Sequence, residues 1–200
     1  MMIIGITGGI ASGKSTVSQY LKEKGFFVVD ADQLSKDALT VNKTCIQQVQ
    51  QLFDCMDEVG NIDRAKLGTI IFNNKKAQAQ LEAIVHPYVI NKMKEAIQST
   101  KEEWLFLDIP LLYEAHLEYL CDQILVVYVD KQIQLERLKK RNALSTVEAK
   151  ARIDSQMPLI EKKQKANYII DNNGSCENLI KQVDQFIREL KKGDISWENY

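Results

Sequence analysis

The chain has 200 residues, 45% hydrophobic and 26% charged, with a formal net charge of −1. That composition suits one soluble globular unit and excludes a disordered chain, and no apolar run reaches the roughly 20 residues of a membrane span. The four cysteines, Cys45, Cys55, Cys121 and Cys176, form no C-x-x-C pair, so neither a zinc site nor a disulfide framework is indicated.

The first predicted strand, Ile3 to Thr7, lies in an almost wholly apolar run. Beginning so early, it leaves no room for a charged and apolar signal segment, and a cytoplasmic location is expected. Directly after it stands Gly8-Gly9-Ile10-Ala11-Ser12-Gly13-Lys14-Ser15, a complete G-x-x-x-x-G-K-S/T loop, followed by a predicted helix over Thr16 to Lys22. Glycines let backbone N–H groups turn inward around phosphate oxygens, and the helix presents its positive end to them. Lys14 is placed to reach the β and γ phosphates, and the Ser15 hydroxyl to ligate Mg²⁺. A chance glycine-rich turn is the plain alternative, and the strand–loop–helix context opposes it.

The second strand, Phe26 to Asp30, is followed by Asp32 on the same rim as the loop. A carboxylate there could accept the proton of an attacking hydroxyl. It could equally cap the following helix, Gln33 to Leu39, while Asp30 falls within the strand and reads as structural. About 70 residues then pass without a convincing strand, far more than one crossover needs. Their patterns are helical: Cys45 to Phe53, Arg64 to Phe72, Ala77 to Val85, and a further helix opened by Pro87 and running to about Gln98. An all-helical insertion over the C-terminal rim of the sheet is expected, where it can form a second substrate pocket. Arg64 and Lys66 could bind an anion from that side or simply be exposed, and His86 suits helix entry as well as ligand contact.

The third strand, Trp104 to Asp108, closes on an acid, the pattern of an aspartate that organises Mg²⁺, and Pro110 stops the strand. After the fourth strand, Ile124 to Val129, a helix over Gln132 to Arg141 places Arg137 and Arg141 on one face. Guanidinium groups there can follow phosphate charge as it shifts, and a hinged segment carrying them would act as a lid that excludes water. Arg141 also suits the negative end of its helix. Residues 131 to 165 carry a net +6 against −7 for the remainder, useful for neutralising a triphosphate, though most of these lysines are expected to be solvated. A fifth strand, Tyr168 to Asp171, precedes a helix with Leu179, Ile180, Val183, Phe186, Ile187 and Leu190 in one stripe, and the tail from Gly193 to Tyr200 is expected to fray. The alternation argues for a parallel sheet with helices on both faces.

Taken in order, several segments are more specific than the loop. They are Ile6-Thr7-Gly8-Gly9-Ile10, Asp30-Ala31-Asp32, Asp63-Arg64 with Leu67 and Phe72, and Leu81-Glu82 with His86-Pro87. They continue with Asp108-Ile109-Pro110-Leu111-Leu112-Tyr113-Glu114, Arg137 with Arg141, Gln156, and Tyr168 to Gly174. The chain resembles the dephospho-coenzyme A kinase family over nearly its whole length. The resemblance implies an α/β P-loop NTPase fold, a three-layer sandwich with a parallel five-stranded sheet. Its core would span about 1–35, 101–130 and 166–192, with a helical acceptor-binding lobe at about 36–100 and a helical lid at about 137–165. It implies phosphorylation of the ribose 3′-hydroxyl of dephospho-coenzyme A by ATP, with Mg²⁺.

By the same resemblance Asp32 is the base, and Lys14, Arg137 and Arg141 complete the catalytic set. ATP would contact Gly9, Ala11, Ser12, Gly13, Lys14, Ser15, Thr16, Arg137 and Asn173, with Asn172 to Gly174 near the adenine. The acceptor would meet Asp32, Arg64, His86, Pro110 and Leu111, and the metal Ser15 and Asp108. Partners are then small molecules, with no nucleic acid or membrane, and the chain is expected as a monomer or weak homo-oligomer. Three positions depart from the family pattern. Ala11 replaces a usual Gly and is tolerable only at negative φ, Asn167 replaces a usual Asp, and Met157-Pro158 can shorten a helix. A GTPase is disfavoured because Asp57-Glu58-Val59-Gly60 is not at a strand end and no Asn-Lys-x-Asp motif occurs. A nucleoside or nucleoside-monophosphate kinase is the nearer rival, and a non-catalytic ATP-binding scaffold the more distant one.

Overall fold

In the computed structural model, which describes residues 1–72, 74–195 and 197, five short strands form one sheet. They are β1 (Met2–Gly8), β2 (Phe27–Asp30), β3 (Trp104–Asp108), β4 (Gln123–Tyr128) and β5 (Tyr168–Asp171), in the order β2-β3-β1-β4-β5. β1 runs parallel to β3, with Ile4 opposite Phe106, and parallel to β4, with Ile6 opposite Leu125. β4 runs parallel to β5, with Val127 opposite Ile170. The runs are continuously apolar because helices cover both faces. On one side α1 (Lys14–Glu23) and α9 (Cys176–Lys192) bring Val17, Leu21, Val183 and Phe186 into a shared core with Ile4, Ile6, Phe106 and Ile170. Burying a side chain such as Phe186 contributes about 2 kcal/mol.

The strand order reverses at β1, with β2 and β3 to one side and β4 and β5 to the other. Ligands of open α/β sheets bind outside the carboxyl ends of the strands at such a reversal, and the glycine-rich loop leaves β1 there. Between β4 and β5 lie α6 (Lys131–Asn142), α7 (Thr146–Asp154) and α8 (Leu159–Gln164). Pro158 stands at the N-cap of α8, after α7 has ended at Asp154. Leu135, Leu138, Ala149 and Ile153 form a small core of their own between α6 and α7.

The tail does not simply fray. Ile195 and Trp197 pack on the main core, with the Trp197 ring 6.4 Å from Tyr168 and 6.3 Å from Phe186. The rest of that expectation falls partly on Ser196 and on Glu198 to Tyr200, outside the described residues. Among the described residues no helix is long and apolar enough to cross a membrane.

Residues Asp30–Ser99 form a second compact unit. It contains α2 (Ala31–Thr40), α3 (Lys43–Leu52), α4 (Arg64–Phe72) and α5 (Lys75–Ser99), around a core of Val49, Phe53, Cys55, Leu67 and Ala77. One expectation fails here: Pro87 does not open a helix but lies inside α5. Proline removes one helical hydrogen bond and crowds the carbonyl four residues back. The helix runs on because Ala77, Leu81, Val85, Val89 and Met93, spaced by four, make an inward stripe on both sides of the proline, while His86 and Pro87 are exposed. Asp57 to Gly60 is a turn, with the Asp57 carboxylate accepting the N–H groups of Val59 and Asn61 and Gly60 at φ 88°. It is not a strand-end nucleotide motif, which removes the GTPase reading.

Candidate active site

Between the end of β1 and Lys14, the first residue of α1, the chain makes a tight loop. Gly13 is its pivot, at φ 96° and ψ 8°. A Cβ there would lie 2.1 Å from Asn172 Nδ2, so glycine is required twice over, by conformation and by space. Ala11 corrects an expectation: its φ is 60°, not negative. The left-handed region costs an L-residue about 1–2 kcal/mol. The Ala11 side chain packs, with Ile10, on the Leu135–Leu138–Ala149–Ile153 core, which offsets part of that cost. Among the described residues no side chain caps α1, so its first N–H groups remain directed at the loop, as an anion site requires. Ser12 Oγ is buried without a hydrogen-bond partner among the described residues, a second sign of a group designed to meet a ligand.

Lys14 Nζ is paired with Asp108 Oδ1 at the end of β3. The Asp108 carboxylate is nearly buried, and Ser15 is exposed one residue into α1. Both offer hard oxygen donors. Among the described residues no group of three or more His, Cys, Asp or Glu could hold a metal. A protein cage is therefore absent there, while one or two oxygen ligands fit Mg²⁺, which keeps waters and is held mainly through substrate phosphates.

Beneath the loop lies a residue that the sequence reading left among the solvated lysines. Lys162, on α8, is fully buried. Its ammonium donates to the carbonyls of Gly8 and Pro110, each at 3.1 Å, and to the Glu114 carboxylate at 2.9 Å. All three of its donor directions thus have acceptors. Burial pulls the Lys162 pKa below the ordinary lysine value, against the opposing pull of Glu114. Glu114 also accepts the N–H of Met157 at 2.9 Å, and Thr7 Oγ1 donates to the Pro110 carbonyl at 3.0 Å.

Two glutamines hold the loop at Ile10. The Ile10 N–H donates to Gln156 Oε1 and its carbonyl accepts from Gln134 Nε2, both at 2.8 Å. Asn172 Nδ2 donates to the Ser12 carbonyl at 2.8 Å. Asn173 Oδ1 accepts from the Asp130 N–H at 2.8 Å, while Arg137 Nη2 reaches the Gly174 carbonyl at 3.4 Å. The structure therefore brings Arg137 to the 172–174 turn. Arg141 lies one turn on, with Nε bonded to Asn142 Oδ1 at 2.9 Å. Asn167 is structural: Oδ1 accepts from the Ile124 N–H at 2.9 Å and its own N–H donates to the Ile124 carbonyl at 2.8 Å. Leu111 is partly exposed beside Pro110.

The remaining candidates belong to the helical unit. Asp30, the last residue of β2, is structural as read and also caps α2, which removes the capping role considered for Asp32. Asp32 is exposed in the first turn of that helix. Arg64 is exposed at the start of α4, where the Asp63 carboxylate accepts the N–H groups of Ala65 and Lys66. His86 is exposed on α5.

A strand, a glycine-rich loop with Lys14 and a helix at the switch point of a parallel sheet define a P-loop nucleotide-binding fold. Solved structures share this architecture, including a shikimate kinase from Acinetobacter baumannii with a TM-score of 0.56 at 13% identity, covering 98% of this chain and 96% of that one. The family model for dephospho-CoA kinase matches residues 2–178, and the chain belongs to that family. It is 46% identical over 199 residues to a dephospho-CoA kinase of Carboxydothermus hydrogenoformans, covering 97% of each chain. To that of Bacillus licheniformis it is 46% identical, covering 93% of this chain and 95% of the other. Among solved structures, a dephospho-CoA kinase from Campylobacter jejuni is similar at a TM-score of 0.76 and 33% identity, covering 96% of this chain and 98% of that one.

Proposed function

We propose that the γ-phosphoryl group of ATP passes in this protein to the ribose 3′-hydroxyl of dephospho-coenzyme A, giving ADP and coenzyme A. As a member of its family the chain is an ATP-dependent phosphotransferase acting on dephospho-coenzyme A in coenzyme A biosynthesis. The observation that carries the reading is the intact loop, with its pivot at Gly13 and an uncapped α1, in a chain matched by the family model over residues 2–178. The bond formed joins the 3′-oxygen to the γ-phosphorus. The bond broken joins that phosphorus to the β–γ bridging oxygen, which leaves on ADP.

Asp32 takes the hydroxyl proton and orients the acceptor. Gly9 to Thr16 bind the phosphates, Lys14 neutralises charge on the β and γ groups, and Arg137 and Arg141 follow the charge onto the transferring group. Asn173, beside Arg137, faces the adenine. Arg64, His86, Pro110 and Leu111 contact the acceptor. Ser15 and Asp108 would hold Mg²⁺, which when bound would supply positive charge to offset that of the phosphates. The helical unit serves the acceptor, and α6 to α8 close over the donor and exclude water. Substrates are small and soluble, the chain acts as a monomer or weak homo-oligomer, and the compartment is the cytoplasm.

The test is ADP release with dephospho-coenzyme A against a panel of nucleosides and nucleoside monophosphates. Stimulation by dephospho-coenzyme A alone is expected. Stimulation by a nucleoside or its monophosphate instead would move the protein to the rival kinase class.

A further inference from the structure

Three carbonyls of the loop, those of Gly8, Ile10 and Ser12, are each held by a side chain from a different place in the chain. Lys162 of α8 holds the first, Gln134 of α6 the second, and Asn172 after β5 the third, at 3.1, 2.8 and 2.8 Å. All three side chains belong to residues that are buried. The carbonyls alternate along the chain, and that alternation has a consequence. In a planar trans peptide the C=O and the following N–H point in opposite directions. Fixing the carbonyls of Gly8, Ile10 and Ser12 therefore fixes the N–H groups of Gly9, Ala11 and Gly13 toward the other side. The backbone agrees, because Ala11 and Gly13 have φ of 60° and 96° while Ile10 and Ser12 between and before them are not at positive φ. Alternation of right- and left-handed residues is the geometry that gathers N–H groups around an anion.

We propose that Lys162, Gln134 and Asn172 are positioning residues for the triphosphate: they preset the N–H donors of Gly9, Ala11 and Gly13 by holding the intervening carbonyls. The inference rests on the assignment of the loop to ATP. Lys162 and Gln134 add a second effect, since they lie on α8 and α6. They connect the shape of the loop to the segment that follows β4, and Glu114 extends the connection to the Met157 N–H just before α8. Space-filling alone does not account for the set. An apolar side chain fills a buried site without the desolvation cost of an ammonium, and it leaves the peptide orientation unspecified.

The test uses two variants that place no unpaired charge in the interior. They are Gln134→Met and the double variant Lys162→Met with Glu114→Gln, each checked for folding by circular dichroism and melting temperature. Binding of ATP and of inorganic tripolyphosphate is measured by calorimetry, and the KM of dephospho-coenzyme A is measured at saturating ATP. The expected result is about a tenfold loss of affinity for both ATP and tripolyphosphate, equivalent to about 1.4 kcal/mol, with the KM of dephospho-coenzyme A unchanged within twofold. Unchanged ATP affinity in a folded Gln134→Met protein would overturn the proposal. So would a parallel loss for ATP and dephospho-coenzyme A, the mark of a merely structural role. If the double variant does not fold, Gln134→Met alone decides. Failure of the wild-type protein to bind either ATP or tripolyphosphate would instead remove the assignment of the loop itself.

Discussion

The Asp30 carboxylate accepts the backbone N–H of Asp32 at 2.9 Å, and that of Gln33 at 3.1 Å. Two acids separated by one residue thus differ in place, the first ending a strand and capping a helix, the second exposed in the first turn of that helix. Asp30→Ala is expected to lower stability by about 1 kcal/mol in urea denaturation. Asp32→Asn is expected to abolish turnover while ATP binding stays largely intact, and an active Asp32→Asn enzyme would exclude Asp32 as the base.

Ala11 sits at φ 60° with its methyl on the α6–α7 core. Glycine relieves a strain of about 1–2 kcal/mol but loses methyl contacts and gains chain entropy when unfolded, about 0.5–1 kcal/mol for the latter. Ala11→Gly should therefore stay within about 1 kcal/mol of wild type. Ala11→Val, branched at Cβ, should cost about 2 kcal/mol or more and raise the KM for ATP. A valine variant of wild-type stability and KM would contradict the backbone described here.

Pro87 interrupts the hydrogen-bond ladder of α5 at an exposed position. Replacing it with alanine should restore the bond to the carbonyl of Ala83 and raise stability by about 1–3 kcal/mol, read as an increased denaturation midpoint. A destabilised Pro87→Ala protein would mean that the helical unit needs the irregularity for its packing.

The thiols should differ sharply in reactivity. Cys45 and Cys55 are buried, burial pushes the Cys121 thiol up to about 12, and Cys176 is exposed at the start of α9. A disulfide reagent at pH 8 should modify Cys176 rapidly in the folded protein and all four cysteines only after unfolding. Mass spectrometry of the labelled peptides checks this directly, and rapid labelling of Cys121 would contradict its packing against Gly5, where an added Cβ would lie 2.7 Å from its Sγ.

The strands were legible because parallel strands buried on both faces are written as short apolar runs, and β3 and β5 fall at Trp104–Asp108 and Tyr168–Asp171 as read. The loop was legible because phosphate binding restricts its residues so tightly. Lys162 was not, since Glu161-Lys162-Lys163-Gln164-Lys165 has the composition of a wet surface and only the three-dimensional neighbours, Gly8, Pro110 and Glu114, reveal a buried ammonium. Pro87 misled for a related reason. Proline is a local signal, and the stripe that carries α5 past it is assembled from residues a full turn apart. The sign of φ at Ala11 is likewise a tertiary outcome, imposed by the partners of Ile10 and Ser12 rather than by alanine.

The position of β1 has a bearing on how the chain reaches its fold. Met2 pairs with Trp104 and Ile4 with Gln123, so the strand at the middle of the sheet has no strand to pair with until much later segments have been synthesised. Such long-range pairings are slow to form and leave hydrophobic edges exposed while they wait. The helical unit, Asp30–Ser99, is by contrast continuous in sequence and can collapse as it emerges. On the ribosome this unit can fold before β3 has emerged to pair with β1, so the insertion that separates the two strands in sequence also sets the order in which parts of the fold form.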